Sequence, residues 1–252
     1  MQYSGTGTQK VEALIEETFP DAHIGRLDMD TSRTGHGVTS ILKAFSKGEI
    51  DILLGTQMIA KGLDFPNATL VGIINADLGL YVPDFRAGEK IFQLIYQASG
   101  RSGRSDKPGE VVIQTYVPDN PVIKNAAKLD MMKYYNIALR ERNELKYPPF
   151  SWLAKIEITG QNKSLVISLS KRISKALKGQ YKGLDILGPA PCYLEKLRNQ
   201  YRFQIVFKSI KIMDPNGQKL HRFIKSNLKD FKKNFRPGQN RINIHFDPLS
   251  LI

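Results

Sequence analysis

"ILLGTQMIAKGLDFPNATLVGIINAD", residues 52–77, sets two continuous apolar runs on either side of a polar loop. Uninterrupted runs of this length, unlike an apolar/polar alternation, are expected of strands buried on both faces of a parallel sheet. The neighbouring segments carry a different period. Residues 8–19 space Val11, Leu14, Ile15 and Phe19 at helical intervals behind a Gly/Thr-rich start able to cap them. "AHIGRLDMD" predicts a short strand, and residues 38–47 a helix with Ile41, Leu42 and Phe45 on one face. Residues 92–97 lie in a further helix, followed by "GEVVIQTY", another buried strand. Strands alternating with helices specify an α/β fold, a parallel sheet with helices on both sides. Ligands of such sheets collect at the C-terminal ends of the strands.

The pattern breaks at "VPDNP" near residue 118. A mixed-charge helical stretch follows over about residues 122–145, and "YPPF" at 147–150 ends it, since proline cannot continue a helix. Beyond it the rhythm changes. "WLAKIEITG" predicts a strand and "NKSLVISLSKRISKALKGQ" an amphipathic helix. "YLEKLRNQYRFQIVFKS" predicts two strands turning at Asn199-Gln200. "PNGQKLHRFIKSNLKDFKKNF" predicts a helix and "RINIHFDP" a last strand. That β-α-β-β-α-β order is the split-βαβ, or ferredoxin-like, pattern. The expected organisation is therefore residues 1–118, a linking helix and hinge over 119–150, and an α+β domain over 151–252.

Charge divides the chain at the same place. Residues 1–118 hold 11 Lys/Arg against 14 Asp/Glu, whereas 119–252 hold 26 against 10, so the overall +13 resides in the second part. A basic half-chain suits a polyanion, most often nucleic acid; the alternative is a solubilising lysine-rich surface. With 41% hydrophobic residues the chain can bury a core. It has no run near the roughly 18 apolar residues of a membrane span. The polar start "MQYSGTGTQK" is not a signal peptide, and the single Cys192 excludes an internal disulfide framework or a cysteine-built zinc site. A cytoplasmic location is the expectation, with no membrane partner.

Chemistry concentrates in two places. In "QLIYQASGRSGR", residues 93–104, a helix continued to residue 104 would align Gln97, Arg101 and Arg104 at i, i+4 and i+7. Guanidinium groups bind phosphate bidentately and stay charged, and Gly100 and Gly103 let a ligand or a second domain approach. Two arginines converging on one anion suit the charge that develops on a transferred phosphoryl group. An isolated R-x-x-R is equally an ordinary surface pair. The second place is the loop after the first apolar run, where Thr56, Gln57, Lys61, Gly62 and Asp64 follow a strand end. Its "AKGLD" also fits an ordinary loop with a helix-ending glycine. No G-x-x-x-x-G-K-[ST] loop occurs, nor a strand-end Asp-Glu pair for Mg²⁺. The chain has the arginines of an NTPase and lacks its phosphate loop.

These two stretches resemble motifs V and VI of superfamily 2 helicases, and "RLDMDT" sits where a motif IV segment would lie. Together with "GTGTQKVE", "NADLGLYVPDFRAGEKIFQL", "PGEVVIQTY" and "YPPFSWLAKIEITG", the wording resembles the primosomal protein N′ (PriA) family of replication-restart helicases. The resemblance covers essentially the whole chain, most strongly residues 5–117. It implies a RecA-like second helicase lobe followed by a basic, ferredoxin-like domain similar to a small-subunit ribosomal protein. It also implies that the P-loop lobe, the DNA-binding N-terminal domain and a zinc module precede residue 1. ATP and Mg²⁺ would then bind mainly to the first lobe, and Zn²⁺ only elsewhere in the longer protein. Arg101 and Arg104 match the arginines that reach the γ-phosphate, with Gln97 in the same motif. Gly62 and Asp64 match residues near the nucleotide, and Thr56 and Gln57, with Lys61 beside them, residues near the DNA backbone. The family's usual "QVAGRAGR" has small residues where Ser99 and Ser102 stand here.

For the second domain the resemblance implies DNA binding and a docking site for the acidic tail of single-stranded-DNA-binding protein, besides contacts with other primosome proteins. Lys196, Arg198, Tyr201, Arg202 and Phe203 interleave cations with aromatics on the expected hairpin. Such a surface can hold phosphates and stack bases. Phe203, Ile205 and Phe207 share one strand face with Tyr201, however, so the aromatics are expected in the core and Arg202 on the outside. Lys219 and Arg222 are weaker candidates. Two other readings stay open at this stage: another superfamily 2 translocase, acting on RNA, and a non-enzymatic nucleic-acid or partner-binding module.

Overall fold

The structure, a computed structural model, describes residues 7–27, 35–56, 68–99, 109–235 and 238–252. The chain divides into two units, Met1–Val82 with Gly88–Tyr134, and Pro83–Ala87 with Tyr135–Ile252.

In the first unit, α1 (Thr8–Thr18) precedes β1 (Ile24–Leu27), and α2 (Gly35–Ser46) precedes β2 (Ile52–Gly55). β1 and β2 pair in parallel, Ile24 opposite Ile52 and Leu27 opposite Gly55. A Cβ on Gly25 would lie 2.8 Å from Ile50 Cδ1, so glycine is what lets β1 seat against Ile50 and Ile41. Arg26 pairs with Glu12 and ties α1 to β1. The second parallel pair is β3 (Leu70–Ile73) with β4 (Glu110–Ile113). Between them runs α3 (Ala87–Ser99), whose Ile91, Phe92, Ile95 and Ala98 are buried; Phe92 stacks on Tyr134 at 4.2 Å. The buried Asp77 locks the ends of β3 and β4, accepting from the Thr115 hydroxyl at 2.5 Å and the Tyr116 N–H at 2.8 Å.

Several expectations need correction. Of the apolar residues at helical spacing only Val11 is buried; Leu14 on α1 and Phe19 just past its end are exposed. β3 and β4 alternate exposed and half-buried residues instead of being covered on both faces, with Leu70 and Val112 on the open side. Successive side chains point to opposite faces whatever their polarity, so an apolar run does not dictate that both faces are covered. The stretch at 122–145 is two helices, α4 (Pro121–Ala127) and α5 (Met131–Glu144). Leu129 turns left-handed at φ 55°, and the Asp130 carboxylate restarts the chain by accepting from the Lys133 N–H at 3.0 Å.

The second unit contains β5 (Ser151–Gly160), α6 (Lys163–Ala176), β6 (Leu184–Leu197), β7 (Gln200–Ile210), α7 (Gln218–Asn234) and β8 (Arg241–Phe246). Its antiparallel sheet has the order β6-β7-β5-β8, the ferredoxin-like arrangement anticipated above. Ala154, Ile156 and Ile158 of β5 and Phe203, Ile205 and Phe207 of β7 share one face. They pack against Val166, Leu169 and Ile173 of α6 and Leu220, Phe223, Ile224 and Leu228 of α7. Each fully buried side chain of this size contributes about 1.5–3 kcal/mol. β6 is longer than expected because it begins at Leu184 and tolerates Pro189 and Pro191. As an edge strand it needs hydrogen bonds on one side only, and its pairing shifts register around both prolines.

Residues 83–87 belong to this unit although the chain on both sides does not. Phe85 stacks on Tyr147 at 5.0 Å under the Arg142 guanidinium. Asp84 accepts from the Ser250 hydroxyl at 2.5 Å, and Leu251 beyond it is buried. Among the described residues no helix is long and apolar enough to cross a membrane, and no cluster of three or more His, Cys, Asp or Glu side chains is placed to hold a metal.

Candidate nucleic-acid interface

The hairpin between β6 and β7 carries two exposed cations of the anticipated set, Lys196 and Arg198. Its turn residues are Arg198 (φ 48°) and Asn199 (φ 61°), with Leu197 paired to Gln200 across the base. Two consecutive left-handed residues match the twist of the flanking strands. The turn is therefore one residue earlier than expected. Asn199 is a ready left-handed residue, but it fills the second turn position and Gln200 already belongs to β7. The consequence is that Arg198 occupies the tip and is exposed. Lys196 is exposed on the preceding strand, with Nζ 5.1 Å from the ring centre of Tyr201 directly opposite. Glu195 beside it is held by Lys163 at 2.7 Å.

The aromatics behave as their strand parity required. Phe203 is buried in the core and Tyr201 packs against it, so neither is presented for base stacking. Arg202 does point to the opposite face, but it is not free. Its Nε and Nη2 donate to Glu157 Oε1 and Oε2, both at 3.2 Å, and Lys155 closes on Glu157 Oε2 at 3.3 Å. All three side chains are nearly buried. Burial alone would raise the Glu157 carboxyl, yet Arg202 and Lys155 together hold it below its ordinary value. Ligand contact by Arg202 would have to break this cluster, so its committed guanidinium corrects the expectation of a free contact. Tyr193 on β6, half exposed and absent from the sequence-derived candidates, is the aromatic left open near the hairpin. Its signal was its position outside the alternating β7 run.

In the first unit, Thr56 directly follows β2 at the C-terminal edge of the parallel pair and is exposed. Gln97 lies half-buried in the last turn of α3, next to the buried Ala98. Gln57, Lys61, Gly62, Asp64, Arg101 and Arg104 lie outside the described residues, as does most of the "RLDMDT" segment. Lys219 and Arg222 sit at the start of α7. Lys219 donates to the Met213 carbonyl at 2.6 Å, and Arg222 reaches Gln218 at 3.5 Å.

Comparison with known proteins places both units. Residues 5–106 match the helicase conserved C-terminal domain, and residues 143–249 the primosomal protein N C-terminal domain. The chain is 38% identical over 254 residues to the replication restart protein PriA of Bacillus subtilis, covering 100% of this chain and 31% of that protein. It is 40% identical over 222 residues to its namesake in Chlamydia pneumoniae, covering 88% of this chain and 30% of the relative. Against that of Treponema pallidum the identity is 35% over 252 residues, 100% of this chain and 37% of the relative. The chain thus spans about a third of the length of the curated relatives it matches. With both domain types present in order and the identity sustained along its whole length, the chain belongs to the PriA family of replication restart proteins.

Proposed function

We propose that this chain supplies the second helicase lobe and the DNA-handling domain of an ATP-dependent 3′-to-5′ DNA helicase. That enzyme unwinds stalled replication forks and initiates primosome assembly for replication restart in the cytoplasm. The observation that carries this reading is the sustained identity to replication restart relatives across both domains, joined to an exposed cationic hairpin on the second. Residues 1–118 act as the lobe, 119–150 as linker and hinge, and 151–252 as the basic domain.

ATP with Mg²⁺, held mainly by a preceding lobe, supplies the phosphoryl-transfer chemistry. Two observations support this reading: Thr56 is exposed at the carboxyl end of β2, and the arginine-bearing segment follows α3 in sequence. Arg101 and Arg104, with Gln97 of the same motif, neutralise developing phosphate charge, and Gly62 and Asp64 serve the nucleotide. Thr56, Gln57 and Lys61 track the DNA backbone as the lobes close and open, while Lys196 and Arg198 grip phosphates from the second domain. The acidic tail of single-stranded-DNA-binding protein and other primosome proteins are the expected partners. Zn²⁺ belongs to a part of the longer protein outside this chain.

Fluorescence anisotropy of labelled single-stranded DNA with the 252-residue chain across a salt series tests the DNA role. Steeply salt-dependent binding, weakened by a Lys196→Gln/Arg198→Gln double variant, is expected. No binding at low salt overturns it. The chain alone is expected to lack ATPase activity, and Mg²⁺-dependent turnover abolished by Arg101→Ala would contradict that.

A further inference from the structure

The face of the second unit's sheet turned away from α6 and α7 is hollowed at its hairpin end. A depression of about 350 Å³ is lined by Thr159, Gln161, Gln200, Gln239 and Arg241. Strand parity places these side chains together. Thr159 is paired with Arg241 on β8 and with Arg202 on β7, so the three stand side by side across the sheet. Gln200 is two before Arg202 and shares its face, while Gln161 and Gln239 lie just past the ends of β5 and β8 and close the rim. Gln200 also closes the base of the turn that bears Arg198.

The lining holds one guanidinium, three primary amides and one hydroxyl, with no carboxylate and no aromatic. Among the described residues none of these five side chains has a hydrogen-bond or ion-pair partner, although each can make several. The nearest carboxylate along β5, Glu157, is neutralised by Arg202 and Lys155. An anion entering the hollow therefore meets donors without a competing negative charge.

The geometry points to this hollow as a phosphodiester-binding subsite for single-stranded nucleic acid. It rests on the reading that the second domain handles DNA, and extends it from the hairpin tip to the adjoining end of the sheet. Arg241 takes a backbone phosphate. The amides and the Thr159 hydroxyl bond the adjoining sugar and base edges, which a site built only for an acidic peptide would not require. Arg241 on β8 stands two places from β7 and three from β6, roughly 10–15 Å across the sheet, a distance that a strand of a few nucleotides spans. Lys196 pairs with Tyr201 and stands on the helix side, so Arg198 at the tip is the hairpin cation that shares one strand with the hollow.

The test is single-stranded DNA binding by the 252-residue chain, comparing wild type with Arg241→Gln, Gln200→Glu and the Lys196→Gln/Arg198→Gln double variant across a salt series. Thermal melting confirms that each variant is folded. Arg241 is exposed and Gln200 lies beside the turn, so both substitutions leave the core intact. Expected are severalfold weaker binding for Arg241→Gln and Gln200→Glu, and for Arg241→Gln a log–log salt slope shallower by about 0.7, one single-strand phosphate contact. If the hairpin variant alone weakens binding, the hollow is not a subsite and the wider DNA reading stands. If the wild-type chain binds no DNA at low salt, both fail. If Arg241→Gln weakens binding of a poly-glutamate probe and leaves DNA binding unchanged, the hollow serves an acidic peptide and the nucleic-acid assignment is overturned.

Discussion

Arg202 on β7 grips Glu157 on β5 through two parallel hydrogen bonds of 3.2 Å, inside a patch where both side chains are nearly buried. Replacing Arg202 with Gln strands a buried carboxylate between Lys155 and the buried thiol of Cys192. Breaking one partner of such a pair costs about 3 kcal/mol, so a clear fall in the urea midpoint at pH 7 is expected. The pH dependence has a definite sign. Burial works to raise the Glu157 carboxyl, but Arg202 and Lys155 outweigh it and hold the folded value below the ordinary 4.5. The pair's contribution is therefore complete above the unfolded value and drains away as the pH falls through the lower folded one. Urea titrations from pH 7 to pH 3 should show the gap between wild type and Arg202→Gln narrowing at the acid end. A gap of constant size across that range would show that the two bonds carry little of the stability.

Cys192 sits in the same patch. Burial, then the Glu157 charge, push its thiol up to about 11, with Arg202 and Lys155 pulling the other way. At neutral pH it stays a protonated, shielded thiol, and the thiolate is the form that reacts. Iodoacetamide labelling of the folded chain at pH 7.5 should be slow and should accelerate on adding urea in step with loss of the fold. Fast labelling without denaturant would mean that β6 opens locally.

Asp214 makes a different kind of anchor. Its side chain is fully buried and accepts from the backbone N–H groups of Lys219 at 3.1 Å and Leu220 at 3.0 Å, and from the Ser209 hydroxyl at 3.2 Å. Gly217 occupies the cap position of α7 in a left-handed conformation and offers no side chain, so Asp214 supplies the acceptors from three residues upstream. Asp214→Ala leaves those donors unsatisfied, a loss of about 2–3 kcal/mol, whereas Asp214→Asn keeps an acceptor and should lose less. Comparing the two thermal midpoints checks this. Equal losses would point to the negative charge, not the hydrogen bonds, as the source of stability.

Much of this architecture was legible from periodicity. The alternation of apolar runs and helical stretches identified strands and a parallel arrangement in the first unit, though not which strands pair, and the β-α-β-β-α-β order identified the second sheet, because periods of 2 and 3.6 are local properties. Three features were not local. The break at Leu129 rests on one left-handed residue and an Asp130 cap that composition does not distinguish from continuous helix. The inclusion of Pro189 and Pro191 in β6 depended on that strand lying at the sheet edge. Arg202 had the outward parity expected of it, yet its fate was decided by Glu157, 45 residues earlier in sequence. A cation's availability depends on where its partners fold, so Lys196 and Arg198 kept their promise as exposed groups and Arg202 did not.

Arg198 offers the sharpest separation of stability from function. At φ 48° it holds a conformation that glycine adopts without steric cost and that a residue with a Cβ pays for, while its neighbour Asn199 suits the same region. The side chain is exposed and contributes nothing to the core, so folding alone gives no reason to place arginine there. Arg198→Gly should relieve the turn, and the stabilisation is limited to a few tenths of a kcal/mol because glycine also loosens the unfolded chain. The same substitution removes one cation from the hairpin tip. Single-stranded DNA affinity should fall severalfold, with a salt slope shallower by about 0.7. A variant that melts no lower than wild type and binds DNA more weakly is the expected pair of results. Unchanged binding together with unchanged or higher melting would mean that the hairpin tip does not touch DNA, and would move the contact to the hollow around Arg241.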